Sequence, residues 1–124
     1  MKTLSENAAS AYRRVDLDAR IEASAASDLT RICLEEAVTA LSQALFALER
    51  APGDVPREAL TRAHGIAVWL ARSVAADNPL REALLQFYGG IASTLARNLR
   101  RSRLSEIATA RDDLNDLLAA AKAA

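Results

Sequence analysis

The residues that could carry chemistry in this sequence are few and scattered. His64 is the only histidine and Cys33 the only cysteine. A metal site or a general base at His64 would need companion residues, and no second histidine is present. Cys33 has no cysteine partner for an internal disulfide, and its place on an apolar helical stripe favours a buried, unreactive thiol. The sequence predicts no metal site and no bound cofactor.

Carboxylates are the remaining candidates for catalysis, in two groups: Glu35-Glu36 and Asp112-Asp113-Asp116. Adjacent residues on a helix point in different directions, so neither group converges on one site by itself. Solvated helix faces explain them. A di-iron helix bundle would need Glu-x-x-His pairs, whereas Thr61 stands three residues before His64. We therefore expect no catalytic residue and a protein that is not an enzyme.

Composition predicts a single all-α domain. The chain has 124 residues, of which 51% are hydrophobic, and only 4 Gly and 3 Pro interrupt it. That is one domain's length, with too few turn signals for a β-sandwich. The charges balance at 16 basic and 16 acidic residues, so the basic excess of nucleic-acid binders is missing. No run of apolar residues is long enough for membrane insertion, and a single cysteine fits the cytoplasm.

Hydrophobic periodicity and breakers divide the chain into an N-terminal arm and four helices. Residues 1–26 form a partly helical arm, and residues 27–124 the bundle. Ser27, Asp54 and Asn78 are expected to cap the first three helices. The run 100–103 is the expected connection to the fourth helix. The predicted apolar stripes are Leu29, Cys33, Ala37, Leu41, Ala44 and Leu48; Leu60, Ala63, Ala67, Leu70 and Val74; Leu80, Leu84, Phe87, Ile91, Leu95 and Leu99; and Leu104, Ile107, Leu114, Leu117 and Leu118. Short connections between such helices predict an antiparallel up-down four-helix bundle.

The helices carry more apolar residues than a bundle interior requires. Leu34, Val38 and Leu45 widen the first stripe, and Phe46 lies outside even that wider stripe. Trp69 projects away from the core stripe of the second helix. The third helix has a second strip of mostly small residues at helical spacing: Leu85, Gly89, Ala92 and Ala96. This surplus could form a groove for a partner, meet a second copy of the chain as a homodimer seam, or be covered by the arm.

Several segments resemble the FliS family of flagellin export chaperones. The first is a tyrosine-bearing arm, 11–15, followed by Leu29 and the run Leu34-Glu35-Glu36-Ala37-Val38. The second is Ala63-His64 followed by Ile66. The third is Phe87-Tyr88 with Ile91, Leu95 and Asn98. The order and spacing match over residues 11–120. The family pattern differs at Leu34, where it has a tyrosine, at Ala26, where it has a proline, and at Gly89-Gly90, where it has an acidic-aromatic pair.

The resemblance implies a cytoplasmic four-helix bundle that holds the disordered C-terminal segment of flagellin in apolar grooves. Such a chaperone prevents premature polymerisation and helps deliver flagellin to a component of the flagellar export gate. The family's arm covers the client groove and docks at the gate, which maps here onto Tyr12 with Val15. Tyr88 belongs to the third-helix motif and joins Phe46, Trp69 and the strip of the third helix as an expected protein contact. The alternatives are a self-associating structural bundle and an adaptor for a different helical client.

Overall fold

Four α-helices make up the part of the chain that the structure, a computed structural model, describes: residues 19–123, with side chains for 28–122. They are α1, Ala19–Arg50; α2, Arg57–Ser73; α3, Arg81–Arg100; and α4, Leu104–Ala123. Each helix packs against its neighbours in the order α1, α2, α3, α4 and back to α1, and the backbones of the diagonal pairs stay further apart. This is the predicted antiparallel four-helix bundle.

None of the three predicted caps is the N-cap residue of its helix in the structure. The helix α1 is already formed at Ala19, so Ser27 lies inside it and residues 19–26 of the expected arm belong to its first turns. Pro56 is the N-cap of α2 and has no side-chain cap, two residues beyond Asp54. Leu80 is the N-cap of α3, also without a side-chain cap, and Asn78 holds the turn before it because its Oδ1 accepts a hydrogen bond from Leu80 N at 2.8 Å.

The core is built from leucine, isoleucine and alanine, as the stripes predict. The surplus on α1 is partly core, since Leu34 and Leu45 are buried beside Leu41. On α3 the inward face is rotated relative to the predicted stripe, so that Tyr88 and Asn98 are buried while Leu84, Phe87 and Leu99 are half-buried. Two residues expected in the core are exposed: Leu80 at 62% and Leu104 at 43%. Leu80 directly precedes α3 and Leu104 is the first residue of α4, so both lie at the ends of the bundle, outside its packed length.

Candidate functional site

The seam between α3 and α4 is open along much of its length. These two helices approach each other at fewer positions than any other neighbouring pair. Between them lies a groove of about 510 Å³. Its α3 wall is Gln86, Phe87, Gly90, Ile91, Thr94 and Arg97, and its α4 wall is Ser105, Glu106, Thr109, Ala110 and Asp113. We call this the α3–α4 groove.

Small side chains keep the α3–α4 groove open. Gly90 and Ala110 line it from opposite walls, and a Cβ atom built on Gly90 would meet nothing within 4 Å. Phe87 and Ile91 supply the larger apolar surface, with threonines beside them. A groove with an apolar floor, little side-chain bulk and polar edges has the shape and chemistry that an amphipathic helix fits.

Asn98 closes one end of the α3–α4 groove. Its fully buried side chain donates from Nδ2 to Thr94 O at 2.8 Å and to Glu106 Oε1 at 3.0 Å, and accepts from Arg103 N at 2.7 Å. Ser102 Oγ donates to Asn98 O at 2.8 Å. The last turn of α3 and the first turn of α4 are thereby held together, so the groove opens from this end toward Gln86 and Asp113.

Charge is distributed unevenly along the walls. At the closed end, Arg97 Nη2 lies 3.9 Å from Glu106 Oε1, a long and solvent-exposed ion pair. At the open end, Asp113 is exposed on the α4 wall. Its neighbour Asp112 pairs with Arg111 at 3.0 Å. The groove therefore has a basic side chain near one end and an acidic one near the other.

The predicted strip of α3 lies on a different face from the α3–α4 groove. None of Leu85, Gly89, Ala92 and Ala96 lines the groove. At about 100° per residue, the strip is centred roughly 150° around the helix from the groove-lining residues. Gly89 and Ala96 are exposed and Leu85 is half-buried, while Ala92 packs against the core. The strip is thus a partly exposed surface.

Phe46 and Trp69 have different environments. Phe46 is 61% exposed on α1, and the Arg50 guanidinium carbon lies 5.4 Å from its ring centre. Trp69 is half-buried on α2 and packs against the core. Phe46 is therefore the largest of the exposed apolar side chains among the described residues.

Tyr88, an expected protein contact, is part of the core at 3% exposure. Its ring meets Phe87 edge-on, with centroids 5.6 Å apart. Burial, and then the nearby Cys33, raises the pKa of Tyr88 to about 12. Burial, and then the charge of Glu36, raises the pKa of Cys33 to about 11. Tyr88 supports the groove from behind Phe87 and offers no surface to a partner.

Tyr12 and Val15 lie outside the described residues. Within residues 28–122, no group of histidine, cysteine, aspartate and glutamate side chains could hold a metal ion. Among the described residues, none of the four helices has the length and hydrophobicity of a membrane span.

The sequence reasoning missed the α3–α4 groove. The signal that could have found it is the run of small residues at helical spacing on the other side of α3 and on the facing side of α4: Gly90 and Thr94, with Ser105, Thr109 and Ala110. Comparison of the chain with protein-family models, with curated proteins and with solved structures finds no match.

Proposed function

We propose that this protein binds a helical segment of another protein in the α3–α4 groove and serves as an export chaperone. The observation that carries the proposal is the open seam between α3 and α4 in a bundle whose other neighbouring helices are packed together. A bundle has no structural need for such a gap, because larger side chains at Gly90 and Ala110 would narrow it. Helix-in-groove binding uses this kind of surface.

The resemblance to the FliS family suggests the client. In this proposal the disordered C-terminal segment of flagellin folds into a helix in the groove, in the cytoplasm. Ordering a flexible segment costs free energy, so binding that depends on it stays reversible. A chaperone that must release its client at an export gate requires that reversibility. The groove's small volume fits one face of a helix, so a further contact to Phe46 would complete the binding surface.

The test is a titration of the purified flagellin C-terminal segment into the full chain, followed by calorimetry and by circular dichroism. We expect heat of binding and a gain of helix. Two variants locate the site. Gly90→Leu fills the groove, whereas Gly89→Leu places the same side chain on the other face of the same helix. Because neither Cβ meets an atom within 4 Å, both variants should fold.

Gly90→Leu should weaken binding roughly tenfold or more, as expected when a side chain must be displaced or overpacked. Gly89→Leu should bind as the unchanged chain does. The opposite result would place the client on the strip Leu85, Gly89, Ala92 and Ala96. No binding of flagellin at micromolar concentration, together with a stable dimer in light scattering, would instead favour the self-associating bundle.

A further inference from the structure

We infer that the α3–α4 groove accepts its helix in one direction, with the N-terminal turn beside Asp113 and the C-terminal turn beside Arg97. The inference rests on the proposed function and adds the polarity of the partner to it. The occupant is an amphipathic helix of a partner protein, with a basic residue in its first turn and an acidic residue in its last.

The basic end of the groove is defined by arginines. Arg97 lines the wall, and three more exposed arginines follow at once in the chain: Arg100, Arg101 and Arg103. Glu106 lies 3.9 Å from Arg97 and also accepts a hydrogen bond from the Asn98 amide, so this one carboxylate is shared between the two side chains. This end keeps an excess of positive charge, which attracts the carboxylate or the C-terminal carbonyls of a helix.

The acidic end is defined by Asp113 of α4, which lines the wall and is exposed to solvent. Arg111 pairs with Asp112, and no ion pair joins Asp113 to another of the described residues. In the first turn of α3, the opposite charges of Arg81 and Glu82 cancel, so they add no net charge at this end. A docked apolar helix would take water away from Asp113 unless it brought a positive charge or its N-terminal amide groups.

The length of the groove matches the separation of these charges. From Gln86 to Arg97 the α3 wall rises about 16 Å at 1.5 Å per residue, which is three turns of helix. A docked helix of that length would place its two ends at the two charged ends of the groove. The backbone dipoles of α3 and α4 run in opposite directions and largely cancel, so the side chains set the polarity. The favoured helix runs parallel to α3 and antiparallel to α4.

The probes are two acetylated and amidated amphipathic peptides of identical composition, built on alanine and leucine. One carries lysine in its first turn and glutamate in its last; the other has the two exchanged. The second peptide is the more helical when free, because its charges complement its own helix dipole. Once each affinity is corrected for the helix content of the free peptide, the first peptide should bind about three- to tenfold more tightly at low salt, and the difference should shrink at high salt. Asp113→Asn should reduce the preference. Asp116→Asn, which changes a carboxylate outside the groove wall, should preserve it.

Direction is read by a nitroxide on the peptide. A label at the N-terminus of the first peptide should broaden the amide signals of Gln86 and Asp113, and a label at its C-terminus those of Ser102 and Arg103. Equal affinities or the reverse broadening pattern, with binding still lost in Gly90→Leu, overturns the direction while leaving the groove as the docking site. Failure of both peptides to bind, while the flagellin segment still binds the unchanged chain and not Gly90→Leu, overturns the charge-set direction and leaves the proposed function standing.

Discussion

Asn98 and Glu106 are joined by a hydrogen bond of 3.0 Å from the Asn98 amide to Glu106 Oε1. The bond connects the last turn of α3 to the first turn of α4, and the same asparagine holds Arg103 N in the connection between them. Asn98 is the buried polar residue of an otherwise apolar core. Since its donors and its acceptor are used, it fixes where α4 begins relative to α3, and with that the position of the closed end of the groove.

Asn98→Asp should destabilise the bundle and make its stability depend on pH. The variant places a carboxylate against that of Glu106 and removes the donor to Thr94 O. We expect a loss of about 2–4 kcal/mol at pH 7, as for a buried pair of unmatched polar groups. Part of that loss should be recovered as the pH falls and one carboxyl takes up a proton. Urea unfolding at pH 5 and pH 7 measures both effects.

The matched control is Glu106→Gln. In the background of Asn98→Asp, a glutamine at 106 can donate to the new carboxylate, so the double variant should be more stable than Asn98→Asp alone. In the unchanged background, Gln Oε1 still accepts from Asn98, and the cost should stay below about 1 kcal/mol. If the two substitutions simply add, the contact between 98 and 106 does not determine the stability of this end.

Gly89→Ala and Gly90→Ala should each stabilise the protein. Both glycines are inside α3, where glycine costs about 0.5–1 kcal/mol relative to alanine. The added Cβ meets nothing within 4 Å at either position. A rise in Tm of about 2–6 °C for each variant is expected for a domain of this size. A lower Tm for either variant would show that the backbone at that glycine, or a neighbouring residue, tolerates no side chain there.

The sequence was sufficient for the architecture and for most of the core, because hydrophobic periodicity reports directly on helices of this length. It was insufficient on α3. There the apolar residues cover more than one face, and only the positions of α2 and α4 decide that Tyr88 points inward while Phe87 lines the groove. Asn98 was also missed as a core residue, since a polar side chain carries no apolar signal even when every polar atom is satisfied inside.

The groove shows a second limit of periodicity. A helical wheel identifies which residues share a face, but it does not say which small-residue face is covered by a neighbour. The strip of Gly89 and the wall of Gly90 interleave along the same helix, and each contains a glycine. The structure distinguishes them because α4 stands beside Gly90 and only partly closes over it.

Stability should fall at alkaline pH through Cys33 and Tyr88. Ordinary values of 9.0 and 10.0 apply in the unfolded chain, whereas burial raises the folded pKa to about 11 for Cys33 and about 12 for Tyr88. The folded state therefore holds these protons where the unfolded state has lost them. Stability is fully present below about pH 9 and is lost as the pH rises through the folded values.

Cys33→Ala removes one of these two groups, so it should lower the free energy of unfolding at pH 8 slightly while reducing its further loss by pH 10.5. Leu41→Ala is the control, because it weakens the same core without a titrating group. The free energy of unfolding that Leu41→Ala loses between pH 8 and pH 10.5 should equal the amount that the unchanged chain loses. Urea unfolding at the two pH values gives the comparison, and an identical loss in Cys33→Ala would contradict the prediction.

Phe46→Ser separates a binding role from a structural one. Phe46 is 61% exposed and makes a contact with Arg50 worth about 0.5–1 kcal/mol, so its loss should cost no more than about 1 kcal/mol of stability. Leu41→Ala, at a buried site of the same helix, should cost about 2–5 kcal/mol. Thermal unfolding of both variants sets the scale.

If Phe46 belongs to the client surface, Phe46→Ser will weaken binding of the flagellin segment in calorimetry while its Tm stays near that of the unchanged chain. Unchanged affinity would leave the α3–α4 groove as the client surface, because Phe46 lies on α1 and does not line that groove.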